Sequence, residues 1–175
     1  MTSISVSQVS VFLFQYRGRR LVRAAVSQLV GDTRQDQKII FGGTSAGGRG
    51  SMVLIDHLHD LLHPSSRVYG LHDSGAYQDI PPYDPHYYPF GDQCRDAYTM
   101  YQPPISGVCA GDYPELWQCV CGEYMLPRVE TPSMVVLYTY DSYQLSNDLG
   151  TSPAHWTPDM CRYRDHDHGA MMMMS

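Results

Sequence analysis

Residues 38–62, KIIFGGTSAGGRGSMVLIDHLHDLL, hold the most informative pattern in the chain. They open on the short β-branched run Lys38–Phe41, which reads as a buried strand. They close on Ser51–Leu62, where Val53, Leu54, Leu58, Leu61 and Leu62 recur at helical spacing until Pro64 ends the pattern. Between them Gly43-Thr44-Ser45-Ala46-Gly47 spells G-x-S-x-G. A serine at the apex of a strand-to-helix turn is the context of a nucleophile elbow. Such a turn forces the serine backbone into a sparsely populated conformation, and glycines at 43 and 47 are expected to remove Cβ atoms that would collide there. The Ser45 hydroxyl then projects above the sheet, and the N–H of Ala46 points to where an oxyanion would form. The following helix N-terminus adds a favourable dipole.

Upstream, Arg17–Val30 places Leu21, Ala24, Ala25 and Leu29 at helical spacing, with Arg17, Arg19, Arg20 and Arg23 on the polar side and Gly31-Asp32 as a stop. Arg67–Leu71 and Ser133–Tyr140 read as further strands. Asp73 to about Tyr88 is a long loop of Gly, Pro, Asp and Tyr. Its aromatic part, Tyr77–Phe90, fits either a sugar-stacking platform or a packed cover over the sheet. Cys94–Met100 and Pro114–Cys121 suggest helical turns, and Ser142–Leu149 a loop or helix. Strands alternating with helices imply an α/β fold with a mostly parallel sheet.

Length and charge set bounds. A chain of 175 residues is one domain's worth and carries enough apolar residues for a core. A net charge of −6 argues against binding nucleic acid by phosphate neutralisation. No apolar run approaches the ~20 residues of a membrane span, and Met1–Ser10 shows no basic start of a secretory signal. The five cysteines, Cys94, Cys109, Cys119, Cys121 and Cys161, leave at least one unpaired if the rest form disulfides. Cys119-Val-Cys121 is too tight for a zinc knuckle. No cofactor is expected.

A serine nucleophile needs a base, and the base an orienting acid. In α/β-hydrolases the chain order is Ser, acid, His, with the acid just past a later strand. Asp141 follows the run SMVVLYTY at that place, although a strand-end aspartate is also an ordinary turn residue. Downstream histidines are His155, His166 and His168; the last two sit in the charged tail Asp165–His168. None is assigned as the base. His59 and His63, four apart on the elbow helix beside Asp56 and His57, share a face, yet the HExxH pattern is missing and no metal site is assigned. The glycines of 42–50 would also suit an anion cradle, but neither GK[ST] nor GxGxxG is present.

Five blocks, in order, resemble the pectin acetylesterase family, which includes plant pectin acetylesterases and Notum-type carboxylesterases. They are Tyr16–Leu21 (YRGRRL), Gly43–Gly48 (GTSAGG), Val68–Gly75 (VYGLHDSG), Trp117-Gln118-Cys119 and Val135–Leu145 (VVLYTYDSYQL). The resemblance implies an extracellular or cell-wall, disulfide-containing α/β-hydrolase. It would remove an acyl group from a polysaccharide such as pectin, with acetate the favoured group, or from a lipid-modified protein. By position, Ser45 would be the nucleophile, Ala46 an oxyanion donor and Asp141 the acid, while Asp73 reads as structural. Two departures stand out. Nothing before Tyr16 resembles the family's Gly-rich, Trp-containing oxyanion loop, and nothing after Asp141 resembles its Cys/His segment. The expectation is therefore an extension over 1–15, an incomplete α/β-hydrolase domain over 16–149 and a polar tail over 150–175, with a catalytically inactive or purely binding protein of the same fold as the alternative.

Overall fold

The computed structural model describes residues 17–30, 37–103, 105 and 107–160. The 1–15 extension, the Gly31-Asp32 stop, Cys161, His166, His168 and most of the expected tail lie outside the described residues.

Helix α1 (Gly18–Val30) leads to β1 (Lys38–Thr44), then α2 (Ala46–Leu54) running directly into a 3-10 segment, Ile55–Leu61. After β2 (Arg67–Asp73) come a long loop and helix α3 (Phe90–Tyr101). The short helices α4 (Val108–Asp112) and α5 (Gly122–Met125) flank a 3-10 turn at Leu116–Val120; β3 (Ser133–Val136) and α6 (Ser142–Leu149) follow. The strands form one sheet in the order β1-β2-β3, both pairs parallel, with Thr44 opposite Asp73 and Asp73 opposite Val136. This is the expected α/β arrangement, and all three strands end at one edge.

The sheet's inner face, with Val68 and His72, meets α2 and the 3-10 segment, where Ile55 and Leu58 are buried. The far side of α2 meets a second layer. Met52 packs there with Ala76, Cys109, Cys119 and Met125. Next to it Tyr77, Phe90, Cys94, Trp117 and Cys121 form another cluster. Two disulfides, Cys94–Cys121 and Cys109–Cys119, cross-link this layer. The C-x-C pair thus sends its two sulfurs to different partners, with the 3-10 turn ending at Val120 between them.

Several expectations need correcting. The face of α1 turned to the body is Val22 and Val26, with Val26 packed against the cluster of Ile55, Leu58 and Val68; Leu21, Ala24, Ala25 and Leu29 are exposed, because the 3-10 segment meets one edge of a broad apolar stripe. The α-helix expected through Leu62 ends at Leu54. At three residues per turn the 3-10 continuation breaks the i,i+4 geometry, so the shared face for His59 and His63 does not form. His59 Nε2 lies 3.3 Å from Thr131 Oγ1, and His63, past the end of the segment, has Nδ1 2.6 Å from Ser65 Oγ. The third strand stops at Val136 rather than Tyr140, since β2 offers no partner beyond Asp73. Among the described residues no helix is long and apolar enough to cross a membrane.

Candidate active site

The site is built where the strands end. Ser45 has φ 57 and ψ −122, one of three non-glycine residues with positive φ among those described. A side chain tolerates that region only at a cost on the order of 1–3 kcal/mol, held in place by its surroundings. Here the surroundings are backbone hydrogen bonds: Ser45 N–H donates to Asp73 C=O (2.8 Å), and Ser45 C=O accepts from Arg49 N–H (3.0 Å). The first ties the turn to the neighbouring strand and the second starts α2. Ser45 is the N-cap of α2, yet its side chain makes no capping bond, so the hydroxyl is released for other partners.

Crowding demands glycine at 43 on one side of the serine and at 48, rather than 47, on the other. A Cβ on Gly43 would lie 2.6 Å from the Gly47 carbonyl, so position 43 must be bare for the chain to fold back over it. A Cβ on Gly47 would meet nothing within 4 Å, so crowding does not require glycine there. It is Gly48, 2.7 Å from the Asp73 carbonyl oxygen by the same measure, that lets α2 sit against β2.

Ala46 is exposed in the first turn of α2, where a helix offers its own N–H groups no acceptor. Its N–H is thus available beside Ser45. Asp73 closes the strand ends: its carboxylate accepts from Thr44 Oγ1 (3.1 Å) and Ser74 Oγ (3.0 Å). Ser74 is a second left-handed residue (φ 49), and its N–H donates to Val136 C=O (2.8 Å).

Asp141 lies shortly beyond the Val136 register pair, as N-cap of α6. One carboxylate oxygen, Oδ1, accepts from the N–H groups of Tyr143 (2.9 Å) and Gln144 (3.0 Å). Among the described residues these bonds go to backbone, and no histidine is hydrogen-bonded to this carboxylate. The nearest downstream histidine, His155, is engaged locally, with Nδ1 3.0 Å from Ser152 Oγ.

Ser45 and Asp141 are linked through two tyrosines. Ser45 Oγ is 2.9 Å from Tyr77 Oη. The Tyr77 ring packs on Tyr143 with centroids 5.1 Å apart, and Tyr143 follows Asp141 closely in the same cap. Gln144 fixes the same loop: its Oε1 accepts from Gln78 N–H (2.8 Å) and its Nε2 donates to Gln78 C=O (3.2 Å). The Asp-x-x-Gln turn therefore grips the segment that carries Tyr77. Sequence reasoning missed Tyr77 at this position. The available signal is that it follows Asp73-Ser74-Gly75 closely, at the mouth of the strand edge, but composition groups it with the rest of the aromatic loop.

A parallel sheet whose first strand turns through a left-handed serine into a helix belongs to the α/β-hydrolase-like class of folds. The family profile described as Pectinacetylesterase matches residues 5–170, and the chain belongs to that family. It is 28% identical over 166 residues to the palmitoleoyl-protein carboxylesterase NOTUM of Drosophila melanogaster, covering 90% of this chain and 24% of that protein. It is 27% identical over 148 residues to the Mus musculus protein of the same name, covering 77% of this chain and 29% of that one. Among solved structures, the Wnt deacylase Notum from Drosophila superposes with a TM-score of 0.75 at 28% identity, over 85% of this chain and 46% of that one. The chain thus spans less than half the length of these relatives.

Proposed function

We propose that this chain carries the nucleophile side of a serine carboxylesterase. The observation that carries the reading is the left-handed, uncapped Ser45 between β1 and α2. Ser45 Oγ attacks an ester carbonyl, and the N–H of Ala46 donates to the oxyanion that results. The alcohol leaves, and water releases the acid from the acyl-enzyme. Asp141 takes the role of the acid that orients a histidine base, and that histidine is not assigned. The substrate class is an acyl ester, with an acetylated polysaccharide such as pectin as the first reading. A second reading, an acyl group on a protein, is favoured by relatives named palmitoleoyl-protein carboxylesterases. Two disulfides in the layer beside the site suit an oxidising, extracellular setting.

An alkyl fluorophosphonate tests the reading directly, because it reacts with activated serines. Peptide mapping should place the label on Ser45 and find none in Ser45→Ala. Asp141→Asn is the informative companion, since asparagine caps a helix as well as aspartate does. It should leave the thermal midpoint in place while slowing the reaction by on the order of 10⁴-fold. A folded protein that the probe never labels would mean a catalytically inactive member of the fold.

A further inference from the structure

We propose that Tyr77 is a further residue of the reaction site, a hydroxyl partner that holds the Ser45 side chain in its working rotamer. The inference rests on the reading of Ser45 as the nucleophile. Its geometric basis is the 2.9 Å contact between Tyr77 Oη and Ser45 Oγ, made by a tyrosine that is otherwise buried. A serine freed from capping has three staggered positions for Oγ, and Ser45 makes no side-chain bond to its own helix. Tyr77 selects among them.

The selection is firm because Tyr77 itself cannot move far. Its ring sits edge-on to Phe90 at 5.4 Å and against Tyr143 at 5.1 Å. The next residue, Gln78, is clamped at both its N–H and its C=O by Gln144. Cys94 and Cys121 of one disulfide share the same buried cluster with the ring and Trp117. The phenol is therefore a fixed polar tip on an otherwise apolar plug. When its O–H donates to Oγ, the serine's own proton stays free for a base. A ring present only for packing would have no need of the oxygen, and Phe would serve as well.

Tyr77→Phe separates these roles, since it keeps the ring and removes only the oxygen. Ser45 labelling by the fluorophosphonate should slow roughly 3- to 10-fold, the range one hydrogen bond accounts for, with the protein still folded at the labelling temperature. An unchanged rate in a folded Tyr77→Phe protein overturns the inference and leaves the function of Ser45 standing. A second measurement does not depend on reactivity: in protein labelled with ¹³Cζ-tyrosine, the Tyr77 resonance, assigned by its loss in Tyr77→Phe, should shift in Ser45→Ala. A resonance indifferent to Ser45→Ala overturns the inference. If Ser45 is never labelled in the unaltered protein, the esterase reading falls and this inference falls with it, whatever the resonance shows.

Discussion

The two faces of the sheet are unequal. On the inner face Val68 is 4% exposed and His72 0%, covered by α2 and the 3-10 segment. On the outer face Ile40 is 74% exposed, Met134 64% and Leu71 40%. Parallel sheets are ordinarily covered on both sides, and their strands read as continuous apolar runs for that reason. Residues 38–41 have such a run, but only Ile39 and Phe41 gain from it here. Among the described residues the elbow is therefore supported from one side: the sheet, α2 and the disulfide layer form the stack that fixes Ser45. Mutations should matter accordingly, heavily on the inner side and little on the outer.

Removing buried volume on the inner side should do most. Ile55 is fully buried against Leu58 and Val68, and Ile55→Ala should cost about 2–5 kcal/mol in urea unfolding. A cost below about 1 kcal/mol would mean that the inner stack is not where stability resides. Next come the cross-links of the helical layer beyond α2. Opening Cys94–Cys121, with a sequence separation of 27, should cost about 3.5 kcal/mol, and Cys109–Cys119, with a separation of 10, about 2.7 kcal/mol, on a loop-entropy argument. Paired Cys→Ser variants compared by thermal unfolding check the ranking. The first should also slow Ser45 labelling more than the second, because its cysteines share a cluster with Tyr77.

Much of this is legible in the sequence, for a physical reason in each case. The run Lys38–Phe41 followed by G-x-S-x-G marks the strand, the turn and the helix, because few residue patterns tolerate so abrupt a reversal. Asp141 stands out only because the elbow precedes it: by itself an aspartate after a strand is an ordinary turn residue, and in the structure it caps α6. What escapes is tertiary. The i,i+4 pattern of α1 has two adjacent stripes, Leu21/Ala25/Leu29 and Val22/Val26/Val30, and only the neighbouring 3-10 segment decides which is covered. Tyr77 escapes because a tyrosine in a loop of tyrosines carries no periodicity, and its partner is 32 positions away. His72 escapes because nothing in its neighbourhood along the chain marks it as buried, whereas pairing on both sides of β2 encloses it.

That histidine carries the inequality of the faces into pH. His72 Nδ1 lies 2.7 Å from Ser51 Oγ on α2 and its Nε2 3.2 Å from Ser133 Oγ on β3, so one ring joins helix, central strand and edge strand. Burial lowers its pKa from 6.5, and the charge of Asp56 opposes this without overcoming it. The unfolded chain therefore binds the proton more readily than the folded one. Stability contributed at neutral pH is lost as pH falls from about 6.5 toward the lower folded value, with a slope of at most ~1.4 kcal/mol per pH unit for one proton. Below the folded value the loss levels off. Chemical denaturation at pH values from about 7.5 down to about 5, spanning the unfolded histidine pKa, should show this slope as a difference between the unaltered protein and His72→Gln, in which it is absent. Equal slopes would mean that the ring takes up its proton as readily in the fold as in the unfolded chain.

The outer face itself is tested by the substitution that should do least. Ile40→Thr exchanges one β-branched residue for another, so strand preference is kept while most of the apolar character is lost. At 74% exposure the side chain gives up little on unfolding, and the change should alter stability by less than about 0.5 kcal/mol. The comparison partner is Val68→Thr, on the neighbouring strand at 4% exposure, where a hydroxyl would be buried in an apolar cluster and cost about 1–3 kcal/mol. The two substitutions differ in little but the side of the sheet they occupy. If Ile40→Thr proved as costly as Val68→Thr, the outer face would be covered in solution, and the one-sided stack would no longer account for how Ser45 is held.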